Sequence, residues 1–93
     1  MKVHVILAID GRQIDQIIEA DSPDGVLVEA KERVAREIGF KGFFIRAMSP
    51  LAFAQEAVRR YNEAYGKSCA LPATAADFLA FGEETGHLIV LEP

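Results

Sequence analysis

The sequence predicts a single α+β domain in which helices cover a mixed four-stranded sheet. Three observations predict this class: β-branched apolar segments near both ends of the chain, apolar stripes at helical spacing between them, and a length of 93 residues with 51% hydrophobic and 26% charged residues. A chain of this length builds one compact core. We find no repeat and no linker, so residues 1–93 are predicted to form one domain in the order strand, strand, helix, strand, helix, short helix, strand.

The first two elements are predicted to form a hairpin. Residues 2–9 are β-branched and apolar on both faces, which is typical of a central strand. Asp10-Gly11-Arg12 is a tight-turn signal, and residues 13–20 continue as a second strand with Ile14 and Ile18 on one face.

Two long helices are predicted to begin at the same dipeptide. Ser22-Pro23 and Ser49-Pro50 each supply a capping hydroxyl followed by a proline, whose missing N–H needs no partner in the first turn. Apolar residues recur at helical spacing after each pair. Gly39 is expected to end the first helix, and Gly66 to end the second just after Tyr65.

The remaining elements complete the predicted sheet. Residues 43–48, Phe-Phe-Ile-Arg-Ala-Met, are predicted to form the third strand, and residues 87–91 the fourth. The first and last strands are apolar on both faces, so we expect both to be central. Thr74-Ala75-Ala76-Asp77 is similar to a capping box and is expected to open a short helix through about Phe81.

Residues 2–48 resemble the opening of ubiquitin-like β-grasp domains. The resemblance covers the strand, glycine turn and second strand, then Glu19-Ala20-Asp21-Ser22-Pro23 and the helical stretch Val28-Glu29-Ala30-Lys31-Glu32. It implies a β-grasp-like sheet. The sequence departs from the family in the full helix over 50–65 and in the ending Val90-Leu91-Glu92-Pro93, which has no Gly-Gly tail. We therefore do not expect carrier or conjugation chemistry.

Composition excludes several classes of function. Cys69 is the single cysteine, so a disulfide within the chain or a site with several thiolates is excluded, and a reducing cytoplasm is expected. The first ten residues match neither a signal peptide nor a membrane span. The net charge of −4 disfavours nucleic acid as a partner, because its backbone attracts basic proteins.

Few residues are candidates for chemistry. His4 and His87 lie on predicted central strands, and with Cys69 they form a candidate small-molecule site or the site of a minor enzyme. The alternative is that both histidines are neutral and hydrogen-bonded near a sheet end. No third metal ligand accompanies them, so we predict no metal, no cofactor and no assigned catalytic residue.

Another alternative lies at Gly39-Phe40-Lys41-Gly42. A basic residue within Gly-x-x-Gly resembles a backbone-clamping loop of RNA-binding domains. The segment is predicted to join a helix to a strand, whereas such a loop joins two helices. A glycine helix cap before a core strand explains the same residues.

The favoured hypothesis concerns the sheet face opposite the helices. If both long helices pack on one face, the other face carries Ile6, Ile17, Phe44 and Met48, with Arg46 among the charged residues at its rim. An apolar centre with a charged rim is typical of an interface. We therefore predict a small protein-interaction module or accessory and regulatory subunit, which binds a protein partner or a second copy of itself.

Overall fold

The computed structural model describes residues 1–9, 12–39 and 42–93. These residues form three strands and four helices, which confirms the α+β class. In chain order the elements are β1 (Lys2–Ile9), β2 (Arg12–Glu19), α1 (Pro23–Ile38), α2 (Gly42–Ala47), α3 (Pro50–Tyr65), α4 (Ala75–Thr85) and β3 (Leu88–Glu92).

The described strands form one antiparallel sheet in the order β2-β1-β3. β1 pairs with β2 along its whole length, from Lys2 opposite Glu19 to Ile9 opposite Arg12, and it pairs antiparallel with β3 on its other side. The central position of β1 is therefore confirmed, whereas the last strand lies at an edge. The prediction of a mixed, four-stranded sheet is wrong. The predicted turn residues Asp10 and Gly11 lie outside the described residues.

The sheet has no fourth strand because the segment predicted as a strand over 43–48 lies mostly in the helix α2. Gly42 begins this helix and is buried against α1. A Cβ atom at Gly42 would lie 2.0 Å from the carbonyl oxygen of Ala35. Only glycine allows the two backbones to approach so closely.

Side chains of α1 also hold the end of α2. Lys31 donates from Nζ to the carbonyl oxygens of Arg46 at 3.3 Å and Met48 at 2.6 Å, which supplies partners at the C-terminal end of the short helix. Arg46 forms an ion pair with Glu32 at 3.2 Å. Contacts with α1 thus favour a helix in a segment whose residues have high strand propensity.

The predicted helix starts are confirmed. Each N-cap hydroxyl accepts a backbone N–H three residues later at 3.1 Å, at Ser22, Ser49 and Thr74. α4 extends to Thr85, past the predicted end near Phe81, and ends before Gly86 in the left-handed conformation. The acidic residues 83–84 belong to the last turn of α4.

The core lies between the helices and one face of the sheet. Val3, Val5, Ile14 and Ile18 share this face, while Ile17 and Ile89 on the opposite face are 52% and 49% exposed. Among the described residues, no helix has both the length and the hydropathy needed to cross a bilayer. The buried cluster comprises Val3, Val5, Ile14, Ile18, Val26, Leu27, Ala30, Val34, Phe53, Ala54, Val58, Ala75, Phe78, Leu79 and Leu88.

Candidate functional site

An apolar cavity of about 610 Å³ opens between α2, α3, α4 and the core face of the sheet. This volume lies within the range of about 300–1,000 Å³ that is common for small-molecule sites. Its walls are mainly aliphatic and aromatic. They include Leu7 from β1, Val34 from α1, Phe44 from α2, Met48 just after α2, Phe53 and Ala57 from α3, and Phe81 from α4.

The lining of α3 follows from its helical period. Phe53, Ala57 and Tyr61 are four residues apart, so they project from one face of the helix toward the cavity. On the other side, α4 lies close to β3: a Cβ atom at Gly82 would be 2.7 Å from the Cβ of Leu88. Both residues line the cavity, so α4 and β3 are held together by a tight contact in its wall.

Aromatic rings form a connected wall around Tyr61. Its ring centroid lies 5.1 Å from that of Phe81, 5.8 Å from that of His87 and 4.8 Å from that of Tyr65. The contacts with Phe81 and His87 are edge-to-face, the arrangement that the ring quadrupoles favour. Tyr61 therefore packs against aromatic rings from α3, from α4 and from the residue just before β3.

Polar side chains form a small part of the lining. Arg60 donates from Nε to Glu56 at 3.4 Å, and Arg59, which does not line the cavity, donates to the other oxygen of the same carboxylate at 3.0 Å. Two guanidinium groups therefore face one carboxylate. This ion-pair cluster has a net positive charge within a chain of net charge −4.

His87, a predicted ligand-site residue, does line the cavity, and its backbone explains its orientation. Its carbonyl accepts the N–H of Ile6 at 2.8 Å, while its own N–H donates to Gly82 at 2.9 Å instead of to Ile6. The imidazole Nδ1 lies 2.9 Å from the Ile6 carbonyl oxygen. Because a carbonyl only accepts, Nδ1 must carry the hydrogen, so the side chain takes the place of a strand amide.

This hydrogen bond determines the chemistry left to His87. In the neutral ring with Nδ1 protonated, Nε2 is an acceptor. No group among the described residues forms a hydrogen bond with Nε2. His87 can therefore offer one acceptor nitrogen to a ligand while Nδ1 keeps a structural role.

The structure does not bring the other two predicted ligand residues to this cavity. His4 lies on the outer face of the sheet, where its Nε2 pairs with Asp15. Cys69 is held by Asn62, whose side-chain amide bonds both its backbone N–H and its carbonyl at 3.0 Å. The described residues include no group of three or more histidine, cysteine or acidic side chains that could hold a metal ion.

The predicted interface residues are also divided. Ile6 and Ile17 lie on the outer sheet face, whereas Phe44 lines the cavity from α2 and Met48 lines it from just after this helix. Arg46 faces α1 through its ion pair with Glu32. The five residues do not share a sheet face, because the strand that was expected to carry three of them is a helix or its end.

The Arg46–Glu32 pair has an electrostatic consequence. A hydrogen bond from Arg46 holds the pKa of the Glu32 carboxyl below its usual value, and the positive charges of Arg46, Arg36 and Lys31 add to this effect. The carboxylate therefore stays ionised at lower pH in the folded protein and continues to bind α2 to α1.

The glycine loop is described only in part. Residues 40–41 lie outside the described residues, so the predicted RNA contact at Lys41 falls there. Gly39 caps α1 with a φ of 74° and donates its N–H to Ala35, and Gly42 is buried against α1. Both glycines thus have a structural role in the connection between two helices.

The sequence indicated the residues of the cavity wall without indicating the cavity. The stripe of Phe53, Tyr61 and Tyr65, with Phe78 and Phe81, has the pattern of a helix packed over a core. The two tyrosines are the signal that distinguishes this stripe from a fully buried core, since a phenol at the edge of an apolar cluster marks a boundary with solvent. Tyr65 is indeed 58% exposed.

Comparisons of the chain with family models, with characterised proteins and with solved structures find no match. The hairpin and helix that prompted the β-grasp resemblance are present at the expected residues. Membership of that superfamily stays a prediction.

Proposed function

We propose that this protein binds a small, largely apolar molecule in the cavity between α2, α3, α4 and the sheet. The observation that carries the proposal is the cavity itself: about 610 Å³ with mainly apolar walls, in a domain of only 93 residues. Water gains few hydrogen bonds from such walls, so its replacement by an apolar ligand is favourable.

The polar groups of the lining favour binding over catalysis. Among the described lining residues, Glu56 is the one carboxylate, and it is paired with two arginines. His87 has committed Nδ1 to the sheet. A general base normally needs a partner nucleophile or substrate proton within hydrogen-bond reach, and no nucleophilic hydroxyl or thiol pairs with either group in the described part of the chain.

The test is to fill the cavity and to measure the binding of a neutral, environment-sensitive probe, N-phenyl-1-naphthylamine. Ala57→Phe adds a ring to the lining, while Ala80→Phe adds the same ring at an exposed position of α4 outside the lining. We expect the wild type and Ala80→Phe to bind one probe per chain. Ala57→Phe should bind at least about tenfold more weakly, since occupied volume excludes the ligand.

Circular dichroism checks that both variants are folded. Equal probe affinity in a folded Ala57→Phe variant would remove the proposal, as would the absence of probe binding to the wild type. Binding that does not saturate at one probe per chain would indicate non-specific adsorption to exposed aromatic residues and would also count against the proposal.

A second candidate function is the binding of a basic protein segment at the outer sheet face, which the exposure of Ile17 and Ile89 favours. His4 is paired with Ile17 of β2 on one side and with Ile89 of β3 on the other, so it lies between these two residues on the outer face. Three carboxylates and one lysine surround this centre, so its rim has a net negative charge. A second copy with the same rim would be repelled, and a segment with a basic rim would be attracted. These rim residues are Lys2, Asp15, Glu19 and Glu92.

This candidate is tested with an immobilised peptide of alternating lysine and valine at low ionic strength. Ile17→Lys places a positive charge at the centre of the face, where it repels the lysines of the peptide, so retention of the protein should be lost. Tyr65→Lys makes the same change of charge at the cavity, and this variant should be retained as the wild type is. Unchanged retention of a folded Ile17→Lys variant would exclude this face as the binding surface.

A further inference from the structure

We infer that the molecule bound in the cavity is an apolar carboxylic acid, with its carboxylate against the Arg60 guanidinium and its apolar body inside. The inference rests on the proposed function, because it names the chemical class of the ligand for the same cavity. It is carried by the charge around the cavity and by the unused donors of Arg60.

The lining does not share the net negative charge of the chain. The chain has 14 acidic and 10 basic residues, yet the described lining contains one carboxylate, Glu56, and one guanidinium, Arg60. Arg59 contacts the same carboxylate from outside the cavity. The shorter contact, 3.0 Å, comes from Arg59, while Arg60 approaches Glu56 at 3.4 Å. Glu56 is thus neutralised without full use of Arg60.

Arg60 retains the geometry that recognises a carboxylate. Its contact with Glu56 uses Nε, and no group in the described part of the chain pairs with its two terminal nitrogens. A guanidinium presents its donors in a planar fork that fits the two oxygens of a carboxylate. The side chain is 66% exposed, which places the charge where the cavity meets solvent.

The same arrangement disfavours the two other common polar heads. An ammonium group would meet the net positive charge of the ion-pair cluster. A hydroxyl could use only one guanidinium donor or the acceptor nitrogen of His87, so it gains less than a doubly bonded anion. An apolar body completes the ligand, because aliphatic and aromatic side chains form most of the wall.

The experiment compares three ligands that share one alkyl chain: dodecanoate, dodecanol and dodecylamine. Each displaces N-phenyl-1-naphthylamine from the protein at low ionic strength, below the concentration at which the ligand forms micelles. Wild type should bind dodecanoate about tenfold more tightly than dodecanol, and dodecylamine most weakly, in line with the contribution of a charged hydrogen bond. Added salt should narrow these differences, since the guanidinium is accessible to solvent.

Three variants test which side chains cause the preference for dodecanoate over dodecanol. Arg60→Gln should abolish the difference between dodecanoate and dodecanol, because dodecanoate loses a doubly bonded positive charge and dodecanol loses at most one hydrogen bond. Arg59→Gln is the matched control: it removes one positive charge from the same cluster but no cavity-lining group, so most of the preference should remain. Glu56→Gln should increase the preference, because it removes the carboxylate that competes for Arg60.

The outcomes separate the two proposals. Equal binding of acid and alcohol by the wild type, or an acid preference that survives Arg60→Gln, overturns the carboxylate inference and leaves the proposed function standing. If the wild type does not bind the probe, the proposed function itself is overturned. A preference for dodecylamine would contradict the inference by assigning the opposite charge to the ligand.

Discussion

The half of the molecule formed by β1, β2 and α1 contains most of the fully buried side chains, whereas the half formed by α2, α3, α4 and β3 supplies most of the cavity wall. Of the five largest fully buried side chains, Ile18, Val3, Val26 and Val34 lie in the first half, and Val58 alone lies in the second. Among the described residues, the large exposed aromatic side chains, Phe43, Phe44 and Tyr65, all lie in the second half. The first half therefore contributes more of the fully buried core, and the second half has more exposed aromatic surface.

The largest expected effect tests how the two halves are joined. Gly42→Ala places a Cβ atom 2.0 Å from the Ala35 carbonyl oxygen, so α2 must move away from α1. Gly25→Ala, within the packed half, meets its nearest atom, the Cβ of Ala20, at 3.1 Å. We expect Gly42→Ala to lower the free energy of unfolding by about 2–3 kcal/mol, near the upper end of typical overpacking costs.

Urea denaturation of both variants provides the measurement. Gly25→Ala should change the free energy of unfolding by less than about 1 kcal/mol, because a small shift of one methyl group relieves the contact and alanine favours a helix. Gly42→Ala should also weaken probe binding, since Phe44 of α2 and Met48, which follows the helix, both line the cavity. Equal stability of the two variants would show that α2 does not dock tightly on α1.

The same comparison explains what the sequence could predict. The helix starts are local: serine or threonine caps three residues before the N–H that they bind, and this spacing is visible in the sequence. α2 depends instead on Lys31, Ala35 and Glu32, which precede it by about a helix length. No local pattern contains those contacts, so the aromatic and β-branched residues at 43–45 led to the prediction of a strand.

The candidate site could also be predicted only in part from the sequence. His87 was identified because a histidine on an apolar strand is conspicuous, but its partner, the Ile6 carbonyl, is a backbone group 81 positions away. His4 was grouped with it on the expectation of a shared face, whereas it lies on the outer face with Asp15. The residues of α3 had the period of a core helix, and periodicity does not distinguish a filled core from a cavity.

An intermediate effect is expected at the start of β3, where His87 ties the second half to the first. His87→Phe keeps a ring beside Tyr61 but removes the Nδ1 donor, so the Ile6 carbonyl loses a partner. This should lower the free energy of unfolding by about 1 kcal/mol. His87→Asn loses the ring contact but keeps a side-chain N–H donor near the backbone.

Amide hydrogen exchange distinguishes these two roles of His87. If the side chain substitutes for a strand amide, exchange near Ile6 should be faster in His87→Phe than in His87→Asn. The reverse order would mean that the contact with Tyr61, and not the hydrogen bond, holds this end of β3. Equal exchange in both variants and the wild type would show that neither contact stabilises the pairing.

The smallest expected effect reports on the contact between the halves without disturbing the core. Because the pKa of Glu32 is lowered in the folded protein, its ion pair contributes stability above the ordinary value of about 4.5, and this contribution is lost as the pH falls through the folded pKa. Arg46→Gln should therefore raise the pKa of Glu32 and reduce stability slightly at neutral pH. Its effect on stability should vanish at pH values below the folded pKa.

Carbon-detected NMR titration of the Glu32 carboxyl measures this pKa directly, and Arg36→Gln is the matched control. Arg36 lies 3.9 Å from the same carboxylate within α1, so its removal should raise the pKa less than removal of Arg46, which belongs to α2 and lies at 3.2 Å. A Glu32 pKa that responds to Arg36 but not to Arg46 would mean that α2 is not docked on α1 in solution. The cavity would then lack the wall that α2 supplies. The two halves would then differ because α2 is an undocked segment beside a folded scaffold.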